Sequence, residues 1–380
     1  MQKHIRENGN VIYAYEPLEN ILNNSNINFI GNNNILFLSS NLKLYDSTIT
    51  FNNNNSIGFL CSGRIDKLIV DLHNDNVLYI GEYSYFNPNC HRYMALAETK
   101  NIIIGNKCLF SNPIEFHTLD WHLIYENENG TRLNQSKSIY IGDHVWVGAD
   151  AYFLKGSMVY SGAIIGARSL ATRNYYSNTV NAGNPAKQIK DNVFWHGDCP
   201  KDNSNNDKKY LFYYYDDFKY AYNQDEFLSP KAIEAKLDSL NTAQEKLEFV
   251  YDAIYMNKNK NRFAYFKDMP YDIPLPKYER KFKLLKFEEI EPTPPKPVTP
   301  PQPATLPQAP QITPQEQIKV LQDKIKELET SNQKALKTKN HLSYKLGNAL
   351  IKAHKQWYKG GYIKFIFEAI KINKEHKIKC

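Results

Sequence analysis

A period of six runs through the middle of the chain. Ile141, Val147, Phe153, Val159, Ile165 and Ala171 follow one another at six-residue steps without a slip. Two residues before each stand Ile139, Val145, Ala151, Ser157, Ala163 and Ser169, mostly small or β-branched. Gly142, Gly148 and Gly166 follow three of the apolar positions, and Ile104, Phe110 and Phe116 keep the same step. A hexad is neither a helical period nor a plain strand alternation. It fits a triangular coil in which three six-residue sides make one turn and each side points one apolar residue inward. Turns must stack, because one turn cannot bury its own apolar face. The spacing therefore predicts a mainly β chain with a parallel β-helix over residues 75–190. From Phe116 to Ile141 the step is 25, not a multiple of six, so residues 117–138 contain a loop. Before residue 75, Ile30, Leu36 and Leu42 keep the step, and Ile57-Gly58 and Ile80-Gly81 look hexad-like. Residues 1–74 are read as irregular N-terminal β coils.

After Lys190 the hexads stop. Residues 191–290 are rich in Tyr, Phe and Lys, and Ile233, Leu237, Leu240, Leu247 and Val250 have helical spacing, which predicts a mixed or helical appendage. Residues 291–314 are a Pro-rich linker, stiff and without a core. Beyond it, Ile318, Leu321, Ile325, Leu328, Asn332, Ala335, Lys339, Leu342 and Leu346 alternate steps of three and four. Residues 315–380 thus read as a coiled-coil-like heptad helix followed by a basic amphipathic tail carrying Trp357, Tyr358, Tyr362, Phe365 and Phe367.

At 380 residues the chain has room for two or three domains. No signal-peptide pattern opens it, and no run of about 18 uncharged apolar residues reads as a membrane span. Five scattered cysteines without a CxxC argue for a reducing cytoplasm rather than a disulfide framework or a zinc knuckle. The formal charge of +7 is uneven: residues 331–380 hold twelve Lys and two Glu, a surplus of +10, which leaves about −3 for the remainder. The basic character belongs to the tail.

The stretch IGDHVWVGADAYFLKGSMVYSGAIIGARSLATRNYYSNTVNAGNPAKQIK, residues 141–190, resembles the hexapeptide-repeat acyltransferases, which include maltose, galactoside, serine and capsule-sugar O-acetyltransferases. The likeness covers roughly residues 75–195, and IGDHVWVGA followed by AGNPAK is a specific signature. It implies a left-handed parallel β-helix, usually trimeric, with acetyl-CoA as acyl donor. The Asp120-Trp121-His122 segment matches the family's catalytic histidine, so the resemblance implies His122 as general base. A sugar hydroxyl attacks a thioester poorly until a base takes its proton, and a neutral imidazole suits that task. Asp120 orients the imidazole in one reading and is a turn residue in the other, with Glu115 competing for the orienting role. Trp146 matches a tryptophan beside the reacting thioester, placed to stabilise the oxyanion or to pack on the pantetheine arm; the plain alternative is a corner aromatic. His144, facing away from the hexad core, reads as structural or surface. By resemblance Gly148, Ala149 and Ala167 line the pantetheine, Arg173 and Lys187 serve the coenzyme A phosphates, Pro185 and Ala186 shape the final turn, and Asn87 assists the acceptor or the oxyanion.

The HTLDWHLIYENENGTRLN segment, with Asn129, Gly130 and Asn134, is nearest to the capsule and sialic-acid O-acetyltransferases. That favours a glycan or activated-sugar acceptor in surface polysaccharide or lipooligosaccharide synthesis. His117 with His122, and His91 or His73 as a third ligand, would make a zinc site of the γ-carbonic-anhydrase type. The glycine-rich hexads of that family are missing, so no metal is expected. A non-catalytic β-helix scaffold is the third reading. The heptad segment reads either as a bundle of three tails in a homotrimer or, from its Ile and Leu core positions and Asn332, as a dimer, and the basic end reads as touching an anionic membrane, docking a glycosyltransferase or lying as a solvated helix; no nucleic-acid recognition motif is present. The expected location is the cytoplasm, peripheral on the inner face of the membrane.

Overall fold

The computed structural model describes residues 1–199, 219–291, 342–355, 365–366 and 368–373. The chain falls into two compact units, Met1–Pro294 and Pro295–Cys380.

The first unit is a parallel β-helix. Its first side is a ten-stranded sheet, its second side a three-stranded sheet followed by a six-stranded one, and its third side a seven-stranded sheet. Each strand of the third side belongs to one full turn. Every residue of the hexad series from Ile104 to Ala171 points into the core and is buried. Phe116 stacks on Phe153 one turn above, with ring centroids 4.7 Å apart, and Phe86 on Phe110 at 4.9 Å. In the hexad block the ladder advances three hexads per turn: Tyr140 pairs with Met158, Trp146 with Ile164 and Tyr152 with Leu170.

Residues 1–74 supply the first three turns of the same helix, and the ladders pass residue 75 without a seam. Ile35 pairs with Ile57, Ile57 with Val77 and Leu78 with Ile102, steps of 22, 20 and 24 residues. The extra residues sit in the corners and hide the period. Ile30, one of the three residues keeping the step there, is 67% exposed, whereas Leu36 and Leu42 are buried. The asparagines that look like compositional bias make these corners. Asn24, Asn33, Asn41 and Asn55 all have positive φ, a conformation asparagine tolerates better than most residues. Buried Asn10 and Asn34 join successive turns, the Asn10 Oδ1 accepting from the Asn34 amide at 2.8 Å and the Asn34 Oδ1 from the Ser56 amide at 2.8 Å.

The outer face of the first side is apolar as well, with Phe37, Ile57, Phe59, Tyr79, Ile103 and Tyr140 buried. The helices Pro230–Asp238 and Ala243–Phe249 cover it through Ile233, Leu237, Leu247 and Phe249, and Val250 continues the layer just beyond. Both have built N-termini: Ser229 caps the first, and Thr242 with Glu245 forms a capping box on the second. Strand Glu288–Ile290 then pairs in parallel with Gln2–His4. The appendage is thus an outer layer of the β-helix. In the second unit, Leu342–Lys355 is helical. The linker from residue 292 and the heptad positions Ile318 to Lys339 lie outside the described residues.

Candidate active site

The long insertion leaves the third side after His117 and re-enters the first side at Ile139. Its neck is closed by a bond from the Lys137 amide to the Thr118 carbonyl at 3.0 Å. Its outer part is a small hairpin: the Glu126 amide donates to Thr131 O at 2.8 Å, the Leu133 amide to Ile124 O at 2.9 Å, and Gly130 takes the positive φ at the tip.

His122 sits at the base of this hairpin with its imidazole exposed and without a hydrogen-bond partner among the described residues. Its backbone is fixed. Buried Asn134 donates through Nδ2 to His122 O at 2.7 Å and to Asp120 Oδ2 at 3.0 Å, and its Oδ1 accepts from the Ile124 amide at 2.8 Å. Lys155, on the next turn, donates to Asp120 Oδ2 at 2.6 Å and to Asn134 O at 2.9 Å. The Lys155 bond holds the Asp120 carboxyl below its usual range. Asp120 therefore braces the loop; its Oδ2 serves Lys155 and Asn134 and makes no bond to the His122 ring. On the far strand, Arg132 reaches Glu98 with both guanidinium nitrogens, and Glu98 also accepts from the Ser136 amide at 3.1 Å. Asn134 entered the sequence reading only as a loose motif match, because nothing local shows a side chain bridging residues twelve and fourteen positions away.

Glu115, the competitor for the orienting role, is 3.0 Å from His117 Nε2. His117 is buried, and its ring stacks on Tyr152 at 4.9 Å and 8°. His73 is engaged with Asn53 at 3.0 Å. Around His117 the rings of Tyr93, Trp121 and Tyr152 form an aromatic strip along the third side, with Trp121 exposed beside His122.

Trp146 lies on the second side, paired in register with Leu109 below and Ile164 above, and is 40% exposed. Its base is reinforced from behind. His144 stacks on Trp195 at 4.0 Å and 4°; Trp195 Nε1 donates to His144 O at 2.9 Å, and His144 Nε2 meets Trp195 O at 3.0 Å. Burial lowers the His144 pKa, which keeps the ring neutral. The adjacent Asp143 accepts from Arg262 at 2.7–3.1 Å, inside a pocket where Arg262 is 0% exposed. Trp195 and Arg262 lie in segments whose sequence carries no hexad signal, so neither was legible beforehand.

The remaining candidates divide by position. A Cβ on Gly148 would lie 2.4 Å from the Ala167 backbone nitrogen, so glycine here allows two turns to stack. Ala149 and Ala167 follow at the corner between the second and third sides, Ala167 exposed. An open depression of about 460 Å³ beside them is lined by Asp150, Tyr152, Arg168, Leu170 and Asn184. Arg173 is exposed, and Lys187 stands exposed on a short strand, Lys187–Lys190, that folds back antiparallel on Val180–Ala182. Asn87 spends its Oδ1 on the Asn89 amide at 3.2 Å, and its carbonyl accepts from buried Arg92. The His122 loop springs from the corner between the third and first sides, whereas Trp146 lies on the second side, opposite that corner. One chain carries both halves of the expected centre on different parts of its surface.

A stacked hexapeptide coil with an exposed histidine on a braced loop and an exposed tryptophan in IGDHVW defines a β-helix acyltransferase. The polysialic acid O-acetyltransferase of Neisseria meningitidis is 31% identical over 157 residues, covering 39% of this chain and 72% of that protein. The polysialic acid O-acetyltransferase of Escherichia coli O1:K1 / APEC is 32% identical over 95 residues, 25% of this chain but only 31% of that protein. A chloramphenicol acetyltransferase of Escherichia coli is 26% identical over 151 residues, 33% of this chain and 72% of that one. The crystal structure of the polySia-specific acetyltransferase NeuO has 29% identity and a TM-score of 0.46, covering 50% of this chain and 85% of that one. A domain of unknown function, DUF8374, matches residues 315–378. The chain belongs to the hexapeptide-repeat acyltransferase family.

Proposed function

We propose that this enzyme transfers an acetyl group from acetyl-CoA to a sugar hydroxyl of a surface glycan, such as a capsule, a lipooligosaccharide or a sialic-acid polymer. The observation that carries the reading is the exposed His122 imidazole on a loop whose backbone is held from both strands, in a chain related to glycan O-acetyltransferases. Neutral His122 takes the proton of the acceptor hydroxyl as its oxygen attacks the thioester carbonyl. The tetrahedral intermediate collapses with cleavage of the C–S bond, and the imidazolium returns the proton to the departing sulfur. Trp146 lies beside the thioester and stabilises the oxyanion through its indole N–H or grips the pantetheine with its face. Gly148, Ala149 and Ala167 run along the pantetheine, Arg173 and Lys187 meet the phosphates, and Asn87 assists the acceptor or the oxyanion. The Tyr93, Trp121 and Tyr152 rings offer apolar faces to a sugar.

His122 and Trp146 lie on opposite parts of one β-helix, and the exposed loop carries Trp121, Leu123, Ile124, Tyr125 and Leu133. In this reading three copies associate, and each site joins His122 of one with Trp146 of the next. Use of acetyl-CoA puts the reaction in the cytoplasm.

The test is thiol release from acetyl-CoA with a panel of sialylated and neutral capsule-type glycans. Acceptor-dependent release should fall about 10²–10⁴-fold in His122→Ala, the usual contribution of a positioned base. Failure to bind coenzyme A at all would rule out the transferase reading.

A further inference from the structure

The acyl-transfer chemistry uses nothing beyond residue 190, and the C-terminal unit has a distinct character. Its helix Leu342–Lys355 leaves Leu350 and Ile351 exposed, while Ala349 is buried. In the helical residues 365–366 and 368–373, Ile366 and Ile370 stand one turn apart and are both more than half exposed, next to exposed Lys371. In the same stretch of sequence stand Phe365 and, outside the described residues, Trp357, Tyr358, Tyr362 and Phe367, and residues 331–380 carry twelve Lys against two Glu.

Three kinds of partner use only part of this pattern. Solvent would favour the lysines but not the four exposed aliphatic side chains. Nucleic acid would use the lysines and leave the isoleucines idle. A helical protein groove would cover the isoleucines but has no need of a surplus of ten positive charges. An anionic lipid surface uses both: lysines meet the headgroups, isoleucines enter the acyl boundary, and Trp and Tyr settle at the interface between them. Among the described residues no helix is long and apolar enough to cross a membrane. We propose that the helical residues 342–355, 365–366 and 368–373 dock the protein peripherally on an anionic membrane surface, by amphipathic insertion reinforced by lysine–headgroup attraction.

The experiment is co-sedimentation of the full chain with vesicles of phosphatidylcholine alone and of phosphatidylcholine with phosphatidylglycerol. At about 0.1 M salt, partitioning onto the anionic vesicles should be at least about tenfold stronger, and it should weaken at about 0.5 M salt as screening shortens. The double variant Ile366→Asp/Ile370→Asp should lose about tenfold of that binding, and so should Lys345→Glu/Lys371→Glu. Both variants should keep the wild-type melting temperature and thiol release, which separates lost docking from lost folding and from any failure of the transferase reading. Equal binding to the two vesicle types, binding indifferent to both variants, or retention only on nucleic acid or on a protein would overturn the proposal.

Discussion

At the scale of single residues, the loop around His122 is held by its neighbours' side chains, which fixes where the proposed base stands. Asn134 touches three backbone or side-chain groups at once, and its amide is what fixes the His122 carbonyl. Asn134→Ala should lower kcat/KM by about 10–100-fold, since a misplacement on the order of 1 Å has that effect. The melting temperature should move by only a few degrees. Steady-state kinetics on the two proteins decide it; an unchanged kcat/KM would mean that the clasp does not position the base. The neighbouring anchor is pH-dependent. The bond from Arg132, set against partial burial and helped by Ser136, draws the Glu98 carboxyl down from 4.5 to about 2. A depressed folded-state pKa gives stability that is present above 4.5 and is lost as the pH falls towards 2. Glu98→Gln should therefore melt earlier than wild type near neutral pH, and the gap between them should close in acid. A gap that persists at about pH 2.5 would assign the anchoring elsewhere.

At the scale of elements, a buried ion pair between Arg262 and Asp143 helps to tie the appendage to the hexad block. Arg262 also donates to Ile254 O at 2.6 Å and Asn257 O at 3.1 Å, but among the described residues only Asp143 neutralises it. Asp143→Ala leaves a fully buried guanidinium without its counter-charge, a change that typically costs about 3–5 kcal/mol. Thermal or urea unfolding should show a loss of that order, and the strand bearing Trp146 should exchange its amides faster. A loss under about 1 kcal/mol would show that water reaches Arg262 in solution. The hexad block itself was legible in the sequence because its turns are three uninterrupted hexads, so each inward position recurs at a fixed step. The first turns were less legible for a physical reason. Corners lengthened by asparagines in the left-handed region keep the sheets in register while shifting the apolar residues off the period.

At the scale of the whole molecule, His122 and Trp146 lie on different sides of one β-helix, and the proposed site joins them across an interface between copies. His122→Ala and Trp146→Ala should each be nearly inactive alone. Mixed and reassembled in equal amounts, they should recover up to about a quarter of wild-type activity, because in a cyclic trimer one interface in four pairs an intact histidine with an intact tryptophan. Gel filtration with light scattering should report three 44.1 kDa chains. Absence of any recovery, with mixing confirmed, would place both residues in a site within one chain.

The sequence by itself determined the coil: a six-residue period is a local property, and each hexad states which residue faces inward without knowledge of its neighbours in space. It also carried the signature of the family and the two residues, His122 and Trp146, on which the proposed chemistry rests. Only the tertiary structure decided what supports them. Asp120 braces a loop because Lys155 lies one turn above it, Glu115 serves His117 because both face outward on one strand, and Trp195 and Arg262 back the IGDHVW strand from segments 51 and 119 residues away. Such partners are set by how turns stack and by which layer covers a sheet, and no local period in the chain encodes a contact made across that distance.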